Sequence, residues 1–286
     1  MSFESFLHQG WSDHAEQAAA VADRFPAGIQ LIEKNEQIPQ LAQLITHVMG
    51  EHLGRWANGI ELLQSLKKSA HFQAGSESEF ALHRAVAILQ VASGRASPAD
   101  LPASDQVRVL ATAASALSGQ GQTARAQELF QQALHSASAL GTKDPANRAL
   151  AVTGNNLANA LEEKADRTSD DTELMILAAR SARKYWEIAG TWLETERAEY
   201  RLVKTYLAAG NPQAALEHAQ HCLRLSRDNQ APAMELFFAN EALALSEKAN
   251  GNANGYRQAL AQAQAHFKEL SEEDKVWCKS TLQKLS

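Results

Sequence analysis

Aromatic residues make up only 6% of this 286-residue sequence, and cysteine occurs just twice. Cys222 and Cys278 each lie in a helical pattern flanked by apolar residues. Two such thiols cannot build a disulfide framework, so a reduced, cytoplasmic setting is expected. No apolar run reaches the roughly 18 residues that a membrane-crossing helix requires. Residues 1–16 lack a basic region followed by an apolar core, so no secretion signal is expected. Residue 2 is serine and the sequence closes QKLS, so no lipid anchor is expected either. Positive charge is in short supply: 27 Lys+Arg stand against 33 Asp+Glu, a net charge of -6. That balance offers no global attraction to a phosphate backbone, and neither a nucleic-acid nor a membrane partner is expected.

Motifs that carry chemistry are scarce as well. There is no phosphate loop, since GNANG at 251–255 lacks the following Lys-Ser/Thr and a preceding strand. There is no GxSxG elbow and no HExxH pair. Neighbouring carboxylates such as Glu162–Glu163 and Glu272–Glu273 diverge by about 100° on a helix, so they make no acid–base dyad. His218, His221 and Cys222 share one helix at i, i+3 and i+4, a spacing that can bind zinc, but no matching fourth ligand is evident. His47 and His52 flank Gly50 and Glu51, and on an α-helix they do not share a face. The reading is of a protein without catalytic residues, cofactor or metal.

What the sequence has is helix. Alanine is its commonest residue and the one with the lowest intrinsic cost in a helix. Apolar residues recur with period 3.6, as in Leu41, Leu44, Ile45 and Val48, or Leu202, Val203, Tyr206 and Leu207. Breakers punctuate the pattern at Pro26, Pro39, 93–104, 141–147, 166–172, 227–232 and 251–255. Ser76 with Glu79, and Ser271 with Asp274, have the spacing of helix-start capping boxes. The longest breaker suggests a seam, giving an N-terminal section over 1–98 and a C-terminal section over 99–286, within one continuous array.

Internal repetition sharpens this. Superposing Gly121 on Gly210 sets Leu117 on Tyr206, Ala126 on Ala215, Phe130 on Ala219 and Ala133 on Cys222. Each unit reads as two helices joined by a turn, with a small residue where the backbones cross and a glycine for the unusual turn dihedral. A single hairpin cannot bury its own face, so hairpins must stack.

Ala114, Leu117, Gly121, Ala126, Phe130 and Ala133, repeated as Leu202, Tyr206, Gly210, Ala215 and Ala219, resemble the tetratricopeptide repeat. A degenerate unit contains Gly154, Leu157, Ala158, Ala179 and Ala182, and another covers about 233–268. The resemblance implies an all-α fold: a right-handed α-solenoid of antiparallel helix hairpins with capping helices at the ends. Residues 13–25 would form one cap. The last helix would form the other, packing Val276, Trp277, Leu282 and Leu285 inward. The first helices of the hairpins would line a concave groove bearing Arg108, Thr112 and Ser115, then Arg148, Asn155 and Asn159, then Arg197, Arg201 and Lys204. Asn can bond an extended backbone and Arg can grip a carboxylate. This is similar to part of the family's carboxylate clamp, although Ala151 stands where that clamp has lysine. The expected function is a protein- or peptide-binding scaffold, for an acidic or C-terminal segment. Other readings are a ligand-sensing domain acting on a partner in trans, or an enzyme of unrecognised type. Tyr185, Trp186, Trp192, Tyr200 and Tyr206 are expected between hairpins or in an anchor pocket.

Overall fold

The computed structural model describes residues 1–285. Among them are thirteen α-helices and no strand, so the chain is all-α. No helix among the described residues is long and apolar enough to cross a membrane. The chain divides into two compact units, residues 1–146 and 147–286. The stretch 93–104, expected as the seam, therefore lies inside the first unit, and the boundary falls in the first turn of a later helix.

The first unit holds α1 (Phe3–Gln30), α2 (Gln37–Thr46), α3 (Trp56–Ser65), α4 (Glu77–Ala92), α5 (Ala103–Gly119) and α6 (Thr123–Ala137). Pro26 does not end α1. The helix runs one turn past it, and its irregular residue is Gln17, with φ -130° and ψ 37°. Burial of Phe25 beside the proline offsets the hydrogen bond that Pro26 cannot donate. Pro39 likewise sits in the first turn of α2, where helix N–H groups lack partners anyway. Between α2 and α3, residues His47–His52 form a π-helical turn. Phe3, Phe6, Phe25, Leu41, Leu44, Leu63, Leu82 and Leu89 meet in one buried core. Ala126, Phe130 and Ala133, on the inner face of α6, are all fully buried.

The second unit comprises α7 (Pro145–Glu163, from its third residue), α8 (Ser169–Ala189), α9 (Trp192–Ala208), α10 (Pro212–Asp228), α11 (Ala233–Ala249), α12 (Ala253–Glu269) and α13 (Glu272–Leu285). Helices α8 to α13 each pack on the next, and α9 also touches α11. Ala215 and Ala219 are fully buried among Val203, Tyr200, Tyr206 and Ala242. Gly154 marks a close approach of α7 to α8: a Cβ there would stand 2.8 Å from the Ala178 carbonyl oxygen.

One turn recurs through both units. Gly94, Gly121, Gly210 and Gly251 have φ between 70° and 74°. After each glycine the next N–H donates to the carbonyl five residues back: Arg95 to Gln90, Gln122 to Leu117, Asn211 to Tyr206 and Asn252 to Glu247, at 2.8–2.9 Å. This is the Schellman closure, which ends a helix and satisfies its last carbonyls. The α7–α8 turn has no glycine. There Arg167 supplies the donors, giving Nη1 to the carbonyls of Leu161 and Glu162 and Nη2 to that of Ala208 at the end of α9.

Helix starts follow side-chain chemistry. Ser76 and Ser271 accept from the N–H groups of Glu79 and Asp274. Full capping boxes occur at Thr168 with Asp171 and at Thr191 with Glu194. The last helix corrects an expectation. Cys278, Leu282 and Leu285 face inward, whereas Val276 and Trp277 are 78% and 67% exposed. Cys278 and Leu285 lie seven residues apart, two turns, and this sets the inward phase; positions 276 and 277 fall off it.

Candidate functional site

Helix α9 carries the densest polar constellation of the second unit. Its cap residue Thr191 bonds the Glu194 carboxylate through its own N–H at 2.8 Å and its hydroxyl at 2.6 Å. These two bonds hold the Glu194 carboxyl below the ordinary carboxylate range. Glu194 also stands 3.7 Å from Arg148 of α7, whose guanidinium lies over the Trp186 ring, 4.9 Å from its centroid.

Arg197, Arg201 and Lys204 follow at i, i+4 and i+7, so they share one face of α9. That face is not the free cationic stripe the sequence suggests. Arg201 Nη1 donates to Glu162 of α7 at 3.0 Å. Arg197 bonds Glu235 of α11. Lys204 Nζ is 3.6 Å from Glu241, also of α11. Every one of the four cations placed in the groove of this unit thus faces a carboxylate. Asn155 and Asn159 are half-buried on α7; Asn159 Nδ2 donates to Glu163 at 3.1 Å and Asn155 Nδ2 lies 3.5 Å from Asn156 Oδ1.

Three polar atoms of this region are buried without a hydrogen-bond partner: Arg201 Nε, Thr205 Oγ1 and Glu241 Oε2. Burial raises the Glu241 carboxyl above its usual range, against the pull of Lys204. Burial, and then the charge of Glu241, push the Tyr200 hydroxyl far upward.

The opposite face of α9 is structural. Glu199 accepts from Arg183 of α8 and His218 of α10. Glu196 accepts from the Cys222 thiol at 2.9 Å and the Ser226 hydroxyl at 3.0 Å. His218, His221 and Cys222, compatible with zinc by spacing alone, therefore separate: the histidines turn to Glu199 and the thiol to Glu196. Of the aromatics, Tyr185 is buried, Tyr206 stacks on His218 at 5.3 Å and Tyr200 meets Phe238 edge-on.

In the first unit, Arg108 is half-buried with an unpartnered buried Nε. Ser115 turns inward and donates to Glu51 at 3.0 Å. The expectation that His47 and His52 do not converge is overturned, because the π-helical turn brings their Nε2 atoms to 3.1 Å. His14, which the sequence does not single out, joins them: ligand atoms of the three lie within 4.8 Å of one another. No local pattern marks His14, because it lies on a different helix from the other two. Compared with models of protein families and with curated proteins, the sequence matches none.

Proposed function

We propose that the chain is a non-catalytic scaffold of TPR-like helix hairpins, stacked as a right-handed α-solenoid with terminal capping helices, that binds a protein or peptide in the cytoplasm. One observation carries the reading. Helix α9 is tied by ion pairs to α7 through Arg201–Glu162 and to α11 through Arg197–Glu235 and Lys204–Glu241. These pairs support reading α7, α9 and α11 as the first helices of successive hairpins that share one polar face. The Schellman turns after Gly210 and Gly251 support the same hairpin reading.

The ligand that fits this face differs from a free carboxylate. Arg148, Arg197, Arg201 and Lys204 already have carboxylate partners, so an acidic segment would have to displace Glu194, Glu235, Glu162 and Glu241. An extended backbone of mixed donors and acceptors matches better. Asn155 and Asn159 can donate and accept. A bound segment that parts Arg201 from Glu162 would also bring an acceptor to Arg201 Nε and a donor to Glu241 Oε2. Unsatisfied buried groups of this kind cost about 1–3 kcal/mol each, which a ligand recovers.

Selection of a random peptide library on the full chain, followed by titration of the enriched peptides, tests this. Asn159→Ala and Arg201→Ala should each weaken binding about tenfold, roughly 1.4 kcal/mol. Enriched peptides that bind Arg201→Glu as well as the parent, or that cross-link only outside α7, α9 and α11, exclude the reading.

A further inference from the structure

The π-helical turn His47–His52 has consequences independent of the charged face. In an α-helix, residues five apart point about 140° away from each other. The i→i+5 pattern of the π-turn instead places His52 over His47, their Nε2 atoms 3.1 Å apart. Such turns are rare and concentrate at functional sites. Helix α1 adds His14, and the Trp11 ring packs beside His14 and His47 at 5.4 Å from each.

The far nitrogens of two rings are already engaged in the way metal-binding histidines require. His14 Nδ1 lies 2.5 Å from the Trp11 carbonyl oxygen. A carbonyl only accepts, so Nδ1 carries the proton and Nε2 keeps its lone pair. His47 Nδ1 lies 3.3 Å from the Glu51 carboxylate, which imposes the same tautomer. Glu51 is held in turn: Ser115 donates to its side chain at 3.0 Å and Gln120 Nε2 to its main-chain carbonyl at 2.7 Å. Carbonyl–histidine and carboxylate–histidine supports of this kind orient imidazoles toward a metal and raise their basicity.

We propose that His14, His47 and His52 form a three-histidine site for a divalent transition-metal ion of the Zn2+ class. The geometry needs only small adjustment. Zn–N bonds of about 2.0–2.1 Å place tetrahedral nitrogens about 3.4 Å apart. The three ligand nitrogens lie within 4.8 Å of one another, so the widest pair closes by at most about 1.4 Å, within the reach of half-buried side chains. An all-imidazole donor set selects Zn2+, Co2+, Ni2+ or Cu2+ over Ca2+ and Mg2+, which take oxygen ligands. Three protein ligands leave a coordination position open for an exogenous donor.

The test uses tag-free full-length protein, stripped with a chelator and dialysed against Zn2+ or Co2+. One equivalent per chain is expected. Co2+ should give the visible d–d absorption of a low-symmetry, nitrogen-ligated site, and should quench Trp11, a signal lost in Trp11→Phe. His14→Gln and His52→Gln should each abolish uptake. Glu51→Gln should weaken it about 10–100-fold by loosening His47. His218→Gln should leave it unchanged. Ring 15N–1H correlation spectra of the unmutated chain read the same site without any variant, since Zn2+ should shift the resonances of these three imidazoles. The proposal fails if the parent takes up no stoichiometric metal, if uptake survives the His14→Gln/His52→Gln double substitution, or if Zn2+ shifts other imidazoles instead.

Discussion

The carboxylate of Glu199 accepts from Arg183 Nε at 2.7 Å, in a pair that joins α8 to α9. His218 of α10 donates to the same carboxylate at 2.6 Å, so one buried acid connects three helices. Burial alone would raise the Glu199 carboxyl, but the hydrogen bonds and charges of His218 and Arg183 together bring it below its usual value. Glu199→Gln should destabilise the chain by about 2–3 kcal/mol in urea unfolding. That is less than the roughly 3–5 kcal/mol of a fully buried pair, because Arg183 and His218 keep contact with solvent. Equal midpoints for variant and parent would show the cluster to be energetically idle.

Glu196 has the opposite sign. Burial raises its carboxyl, and two hydrogen bonds, from Cys222 and Ser226, do not overcome that. A carboxyl with a raised folded-state value disfavours folding when ionised. Its penalty fades as pH falls from that raised value toward the unfolded value of about 4.3. Glu199, with a lowered value, stabilises above the unfolded value and loses its contribution as pH falls through its own depressed one. Glu196→Gln, which keeps an acceptor for Ser226, should therefore be more stable than the parent at pH 8, by on the order of 1 kcal/mol. The gap should close by about pH 4.5. Chemical melts across that range check it, and a gap that widens in acid would refute the assignment.

Two glycines separate backbone strain from close packing. Gly210 has φ 71° and nothing within 4 Å of where a Cβ would stand, so Gly210→Ala should cost only the left-handed conformation, about 1–2 kcal/mol. Gly154 lies within helix α7, and an added Cβ would meet the Ala178 carbonyl oxygen at 2.8 Å and press against Ala182. Gly154→Ala should cost at least as much, about 1–3 kcal/mol, by driving α7 from α8. The crowded atoms around Gly154 are backbone, the Ala178 oxygen and the Ala182 nitrogen at 3.3 Å, so Ala182→Gly should recover neither the Gly154→Ala nor the Gly210→Ala loss, as thermal melts of the double variants would report.

Arg167 carries the capping of two helix ends. Its guanidinium donates to the carbonyls of Leu161, Glu162 and Ala208 at 2.8–3.0 Å. Arg167→Ala should cost about 2 kcal/mol and speed amide exchange in the last turns of α7 and α9 together. Faster exchange at α7 alone would mean that the bond to Ala208 does not couple the two ends.

Legibility divides along sequence distance. The glycine turns at Gly121 and Gly210 and the buried Ala126, Ala215 and Phe130 are readable, because turn dihedrals and small crossing residues leave a local signature. The charge pairing on the cationic face of α9 is not. Arg201 meets Glu162 from 39 positions away and Arg197 meets Glu235 from 38, spacings that no helical wheel relates. The inward phase of α13 escapes a sequence reading for a related reason: hydrophobicity alone does not select Cys278 over its neighbours Val276 and Trp277.

Alanine content, period-3.6 patterning and turn chemistry were enough to specify an all-helical chain and where many of its helices end, since these act within a few residues. Packing decided which charges neutralise one another and which polar atoms are buried unpaired. It also decided that a single wider helical turn gathers three histidines from two helices. Those outcomes depend on distances between segments far apart in the chain, and only the folded arrangement sets them.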